Sequence, residues 1–268
     1  MSVYIHGGLR SPIGVLNGQY KHMRPEMLGA KVIDALINRH SISQVDGLFC
    51  GNAVGTGGNI GRLMGLMCNL PNSVPAITVD MQCASALMSI EMAYTHIASG
   101  VMDAVIAGGI ESSSLQPERV YALGDDRKGT YKVAQFTPQD QSPLAMLKGA
   151  ERTIHKYNVT KEDLYPHIIG SHQRASAALD NPYLQSYIMP ITIDGKRCID
   201  ECIRPTMNEK LLSRMKPLLG ADSITNAGNA CLTHDGAAFV YLSNKKGPFK
   251  IHSVKPWAGN PQFSPEGA

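Results

Sequence analysis

Residues 74–114 read VPAITVDMQCASALMSIEMAYTHIASGVMDAVIAGGIESSS, and this stretch decides the fold. Ala76–Asp80 is rich in β-branched residues and predicts a strand. A helix is expected from about Ala84 to Ser99, with Gly100 suited to the position just beyond its end. Ala104–Ala107 predicts a second strand. Cys83 falls between the first strand and the helix. A helix start carries unpaired backbone N–H groups and a partial positive charge, which favours an anionic group and offers donors to an acyl oxyanion. The small residues Ala84, Ser85 and Ala86 leave room for a substrate beside the sulfur. Spacing alone does not make Cys83 a nucleophile, because a single cysteine in an apolar segment is more often a core thiol.

The flanking segments extend the pattern. Ser2–Gly7 predicts a strand, Met27–Asn38 a helix, Gly47–Cys50 a strand, and the stretch around Leu63–Cys68 a helix. Strands alternating with helices imply a mainly parallel α/β sheet. Residues 115–214 differ, holding roughly 26 of the 47 charged residues among short, broken apolar runs. They read as a solvated insertion whose helical parts are Leu144–Tyr157 and Lys161–Ala178. Residues 215–243 return to the core style and end in the apolar strand AAFVYLS. A new segment begins at Lys245, where PFKIHSVKPW is strand-like.

Bulk properties bound the function. Hydrophobic residues at 43% and charged residues at 18% suit a folded globular chain of 268 residues. A net charge of +3 is too small to suggest a nucleic-acid partner. No apolar run approaches the roughly 20 residues that span a bilayer, and MSVYIHGGLRSPIG lacks a secretory pattern, so a cytoplasmic location is expected. The six cysteines are too sparse for a disulfide scaffold and are expected to be reduced. CIDEC (198–202) lacks zinc-site spacing, and no metal is expected. GTGGNIG (55–61) misses the dinucleotide-binding glycine spacing.

Three blocks carry a family resemblance. QCASALMSIEMAYTHIASGVMDAVIAGGIESSS resembles the nucleophile region of thiolases, where a Cys followed by small residues opens a helix leading to a strand that ends in Ala-Gly-Gly-x-Glu-Ser, here Ala107–Ser112. Arg10-Ser11-Pro12-Ile13-Gly14 is similar to the family's Arg-Thr-Pro-Ile-Gly. Thr225–Ala230 with Asp235-Gly236-Ala237-Ala238 is similar to its Thr-Ala-Gly-Asn-Ala-Ser…Asp-Gly-Ala-Ala, with Asn226 in addition and Cys231 for Ser.

The resemblance implies a thiolase-like mixed sheet layered with helices. Residues 1–114 and 215–244 would form the N-terminal domain, 115–214 a loop domain covering coenzyme A, and 245–268 the start of a C-terminal domain. It implies acyl-CoA C-acyltransferase chemistry, making or breaking a carbon–carbon bond of acetoacetyl-CoA or a 3-ketoacyl-CoA through an acyl thioester on Cys83. Asn229 would hold a water in an oxyanion hole. Ser171-His172-Gln173-Arg174-Ala175 is similar to the family's Ser-Gln-Gln-Arg-Ala, so Arg174 would lie against the adenine end of CoA. Met146 and Ala150-Glu151 fit a further block, Met-Gly-x-Thr-Ala-Glu. CoA enters as substrate, with no tightly bound cofactor, and a homodimer or homotetramer is expected.

The family's Asn-Glu-Ala-Phe, Gly-His-Pro and Cys-x-Gly blocks are absent from these residues, and Ala258–Ala268 resembles the opening of the half that carries them. The chain alone is therefore expected to activate Cys83 incompletely. No histidine is assigned as base; His6, His96 and His234 read as structural. A catalytically dead binding or scaffold module that pairs with another chain is the alternative. A ketoacyl-synthase-like condensing enzyme fits the Gly-Asn-Ala and Asp-Gly-Ala-Ala blocks less well.

Overall fold

A computed structural model describes residues 1–252 apart from 56, 134, 136, 137 and 139–141. Along the chain the elements are β1 (Val3–Arg10), β2 (Gly14–Val15), α1 (Pro25–His40), β3 (Gly47–Gly51), α2 (Ile60–Met67), β4 (Ala76–Val79), α3 (Ser85–Ala98) and β5 (Ala104–Ser112). Then follow β6 (Arg119–Val120), β7 (Thr130–Tyr131), α4 (Ala145–Lys156), α5 (Lys161–Leu179), α6 (Pro182–Gln185), β8 (Thr192–Ile193), β9 (Lys196–Arg197), α7 (Glu209–Leu212), β10 (His234–Ser243) and β11 (Phe249–Ile251). The strand-like reading of PFKIHSVKPW holds for β11; from residue 253 it lies outside the described residues, as does the resemblance of 258–268.

Among the described residues, one sheet runs in the order β11-β1-β10-β5-β3-β4, with β2 beside β10. Only β4–β3 and β3–β5 are parallel. The pairs β5–β10, β10–β1, β1–β11 and β10–β2 are antiparallel. The sheet is thus mixed, which corrects the mainly parallel expectation. Helical crossovers dictate parallel pairing only as far as β5. The chain then leaves through the insertion and returns as β10, with no crossover helix to impose a direction.

Side-chain alternation builds two cores, one on each face of the sheet. Leu48, Cys50, Ile106, Ile110, Ala237 and Phe239 point to α1 and α2, where they meet Leu28, Val32, Ile33, Leu36, Ile60 and Met64. Phe49, Val105, Ala107 and Leu242 point the other way, onto Ala93 and Ile97 of α3. A bulge between Ile5 and Gly7 breaks the alternation within β1, so Val3 faces α3 while Leu9 faces α1. Each fully buried aliphatic side chain of α1 contributes about 1.5–3 kcal/mol.

Two compact units result. The larger comprises Met1–Pro117, Ser186–Glu201 and the stretch from Thr233; the smaller comprises Glu118–Gln185 and Cys202–Leu232. This differs from the expected 115–214 insertion at both ends. Residues 186–201 fold with the sheet because long-range polar contacts fasten them there. Arg10 makes a bidentate pair with Asp200 at 2.8 and 2.7 Å, and Ile13 N–H donates to Asp200 at 2.7 Å. Val15 and Gln19 N–H donate to Glu201 at 2.9 and 3.1 Å. The Arg-Ser-Pro-Ile-Gly block is thus a docking point for this strap. In the smaller unit, Tyr165 of α5 packs on Met207 and Leu212. A capping box, with Thr160 and Asp163 exchanging hydrogen bonds, starts α5.

Candidate active site

Cys83 lies in a tight elbow between β4 and α3. Gln82, just before it, has φ +51°, a left-handed conformation that a non-glycine residue adopts only when its surroundings impose it. Two side chains do so. Asp80 Oδ1 accepts from Gln82 N–H at 2.9 Å. Ser85 Oγ accepts from Met81 N–H at 2.8 Å and donates to the Gln82 carbonyl at 2.5 Å. The elbow leaves Cys83 exposed, so the core-thiol reading does not describe it.

The helix begins two residues after the cysteine, at Ser85. Ala84 N–H donates to the Met81 carbonyl and Ser85 N–H to the Gln82 carbonyl, both at 3.1 Å. Those two donors close the elbow.

Helix α3 rests on glycines. A Cβ at Gly51 would lie 2.4 Å from Ala86 N, and one at Gly109 would lie 2.9 Å from the Gly51 carbonyl oxygen. Buried Ser89 fastens the helix to β5: its hydroxyl accepts from Gly108 N–H at 3.0 Å and lies 2.8 Å from the Gly108 carbonyl. Glu111, at the end of the same strand, holds the loop after β3. It accepts from Ala53 and Val54 N–H at 3.0 and 2.9 Å and from Asn52 Nδ2 at 3.0 Å. The Ala-Gly-Gly-x-Glu-Ser block therefore seats the start of α3 and the loop after β3.

Asn229 and Arg174 belong to the smaller unit. Asn229 Oδ1 accepts from Asn226 N–H at 2.7 Å and its Nδ2 donates to the Ile224 carbonyl at 2.9 Å. The side chain holds its own turn and keeps one N–H and one lone pair in reserve. Beneath that turn is buried Glu151 of α4. It accepts from Ile224 N–H at 2.8 Å, Thr225 N–H at 2.9 Å and Ser223 Oγ at 3.0 Å, and from the Thr225 hydroxyl. Burial alone would raise its pKa. The hydrogen bonds from Thr225, Ile224 and Ser223 outweigh it and bring the value to about 2.

The sign follows. With a folded pKa of about 2 against an ordinary 4.5, the stabilisation is full above 4.5 and is lost as pH falls toward 2. The 223–230 turn is expected to open in that window, seen as faster amide exchange at Thr225. In Glu151→Gln the turn is expected to be loosened by about 2 kcal/mol at neutral pH, with that acid transition absent. An unchanged Thr225 exchange rate in the variant would exclude the clamp.

Arg174 is exposed on α5. In its motif, His172 Nδ1 accepts from Arg204 N–H at 3.2 Å. His6 pairs with Ser243 Oγ at 2.8 Å and His96 with the Met92 carbonyl at 2.7 Å, so both serve the fold. Sequence reasoning passed over Asp80, Ser85 and Glu111 as site builders and gave Glu151 no role. The Asp–x–x–Cys–x–Ser spacing around the elbow was the one available signal. Among the described residues, no group of three or more His, Cys, Asp or Glu side chains could hold a metal, and no helix is long and apolar enough to cross a membrane.

An exposed cysteine held in a strand–helix elbow over a glycine floor suits covalent acyl transfer, and comparison with known proteins places it in a family. The model described as "Thiolase, N-terminal domain" matches residues 3–246, and the chain belongs to the thiolase family. VraB of Staphylococcus aureus (strain MRSA252), whose name gives acetyl-CoA C-acetyltransferase as a provisional activity, is 31% identical over 249 residues, covering 90% of this chain and 65% of VraB. VraB of Staphylococcus haemolyticus (strain JCSC1435) is 32% identical over 246 residues, covering 88% and 64%. The crystal structure of the Bacillus anthracis acetyl-CoA acetyltransferase superposes with a TM-score of 0.80 at 26% identity, covering 90% of this chain and 65% of that one. The chain spans just under two thirds of these relatives' length.

Proposed function

We propose that this chain serves a thiolase-type acyl-CoA C-acyltransferase in which Cys83 is the acyl acceptor. The observation that carries the reading is the exposed Cys83 thiol, held in a left-handed elbow braced by Asp80 and Ser85. In the first half-reaction the sulfur attacks the thioester carbonyl of an acyl-CoA. The carbon–sulfur bond to CoA breaks, and CoA leaves as the free thiol with the proton that Cys83 gives up. The acyl group then passes to the α-carbon of a second acyl-CoA: the bond from the acyl carbon to the Cys83 sulfur breaks as the carbon–carbon bond forms, and the proton lost from the α-carbon restores the Cys83 thiol; cleavage of a 3-ketoacyl-CoA is the reverse. Asn229 would use its spare N–H to hold a water at an oxyanion position, and Arg174 would contact the adenine end of CoA. Acetyl-CoA is the substrate that the relatives' names suggest, and acetoacetyl-CoA and a homo-oligomer are the product and the assembly that the family resemblance suggests.

Intact-mass analysis after incubation with acetyl-CoA tests the reading. One added acetyl group, released by hydroxylamine and mapped to Cys83, is expected. Acetylation elsewhere, or none in the presence of the remaining third of a relative's chain, would sink it.

A second reading is a binding module that pairs with another chain. An apolar groove of about 290 Å³ in the larger unit favours it, with Ala86, Ile90, Ala107 and Phe239 in its walls. Capture of the acetyl group at Cys83 separates the two.

A further inference from the structure

Another feature of the larger unit lies where the segment after β2 faces the β8–β9 hairpin. A cavity of about 530 Å³ opens there. Its walls divide by chemistry. Met23, Met27 and Ile193 are among its apolar lining residues, and Lys21, Lys196 and Arg197, all exposed, are its lysine and arginine lining residues. Among the described residues, none of these three cations is ion-paired with a carboxylate. His22 also lines the cavity, and Asp194 is the one acidic side chain in the lining. The nearby Glu201 carboxylate is taken up by the Val15 and Gln19 amides. Cys198, also in the lining, is buried, and burial pushes its thiol up, so it adds no negative charge.

The hairpin is held rather than loose. Asp194 and Gly195 have φ +49° and +74°, as a tight two-residue turn requires. Cys198 N–H donates to the Ile191 carbonyl at 2.8 Å, and the Asp200–Arg10 pair anchors the following residues. Three cations without a carboxylate partner thus line one cavity together with apolar side chains. Like charges brought together cost free energy unless an anion joins them. The volume is that of small-molecule sites.

We propose that this cavity binds a small amphipathic anion, a compact apolar body bearing one carboxylate or similar acidic group. The apolar part lies against Met23, Met27 and Ile193, and the acidic group meets Lys21, Lys196 and Arg197. This proposal does not rest on the acyl-transfer reading.

The test is a titration of the whole chain, carrying 13C-methyl methionine, with sodium octanoate. Octanol and inorganic phosphate serve as the two separated halves of the ligand. Saturable shifts are expected at the Met23 and Met27 methyls, with Met64 in the core unmoved. In the triple variant Lys21→Ala, Lys196→Ala, Arg197→Ala, affinity for octanoate is expected to fall about tenfold or more; all three side chains are exposed and an unchanged Met64 resonance reports an intact fold. Octanol and phosphate are each expected to bind at least about tenfold more weakly than octanoate. Absence of shifts at Met23 and Met27 would overturn the site. Equal binding of octanol, equal binding of phosphate, or full retention by the triple variant would overturn the amphipathic anion as its ligand.

Discussion

Cys83→Ser is expected to reduce acetyl capture from acetyl-CoA by about 10⁴-fold, to the level of background labelling. Serine keeps the shape of the side chain, and its hydroxyl is a far weaker nucleophile near neutral pH. Because Cys83 is exposed and its elbow is braced by Asp80 and Ser85, stability should change by no more than about 0.5 kcal/mol. Affinity for CoA should likewise hold. The decisive comparison is hydroxylamine-labile label on wild type and variant, with urea unfolding alongside. Equal labelling of the two would remove Cys83 from the chemistry, whatever the family suggests.

Gly51→Ala is expected to be a severely damaging conservative change near the site. The added methyl would sit 2.4 Å from both Ala86 N and Ser85 C and 2.8 Å from Ala86 Cα. All three are backbone atoms of the α3 start, so no side chain can turn aside. The helix would have to lift from the sheet, taking the Cys83 elbow with it and straining the Ser89–Gly108 hydrogen bonds. Overpacking of this kind costs about 3 kcal/mol or more when backbone must move. Gly124→Ala is the control, since a Cβ there meets nothing within 4 Å. Urea midpoints should separate the two widely, and acetyl capture should fall in Gly51→Ala even where it remains folded. A Gly51→Ala midpoint as mild as that of Gly124→Ala would mean that α3 is not seated on β3 as described.

Much of the larger unit was legible from local pattern. The helix expected at Ala84–Ser99 is α3 at Ser85–Ala98, and the strand expected at Ala76–Asp80 is β4 at Ala76–Val79. Met27–Asn38 lies within α1 at Pro25–His40. Within the insertion, the expected Leu144–Tyr157 and Lys161–Ala178 helices are α4 and α5. Periodicity reaches these elements because each repeats its contact with the core every two or about 3.6 residues. It does not reach partners far apart in the chain. Arg10 and Asp200 are 190 positions apart, and Glu151 and Thr225 are 74 apart. Neither pair leaves a local trace, so the strap of 186–201 and the Glu151 clamp went unread.

The sequence by itself determined the α/β character and the cysteine at a strand–helix junction. These follow from short-range chemistry: a β-branched run, small residues after Cys83, and glycines where backbones approach. Only the tertiary structure decided the antiparallel return of β10, the hydrogen bonds that close the Cys83 elbow, and the cavity where the segment after β2 meets the β8–β9 hairpin. Each depends on where distant segments meet, and burial and hydrogen bonding settle that only once the whole chain has folded.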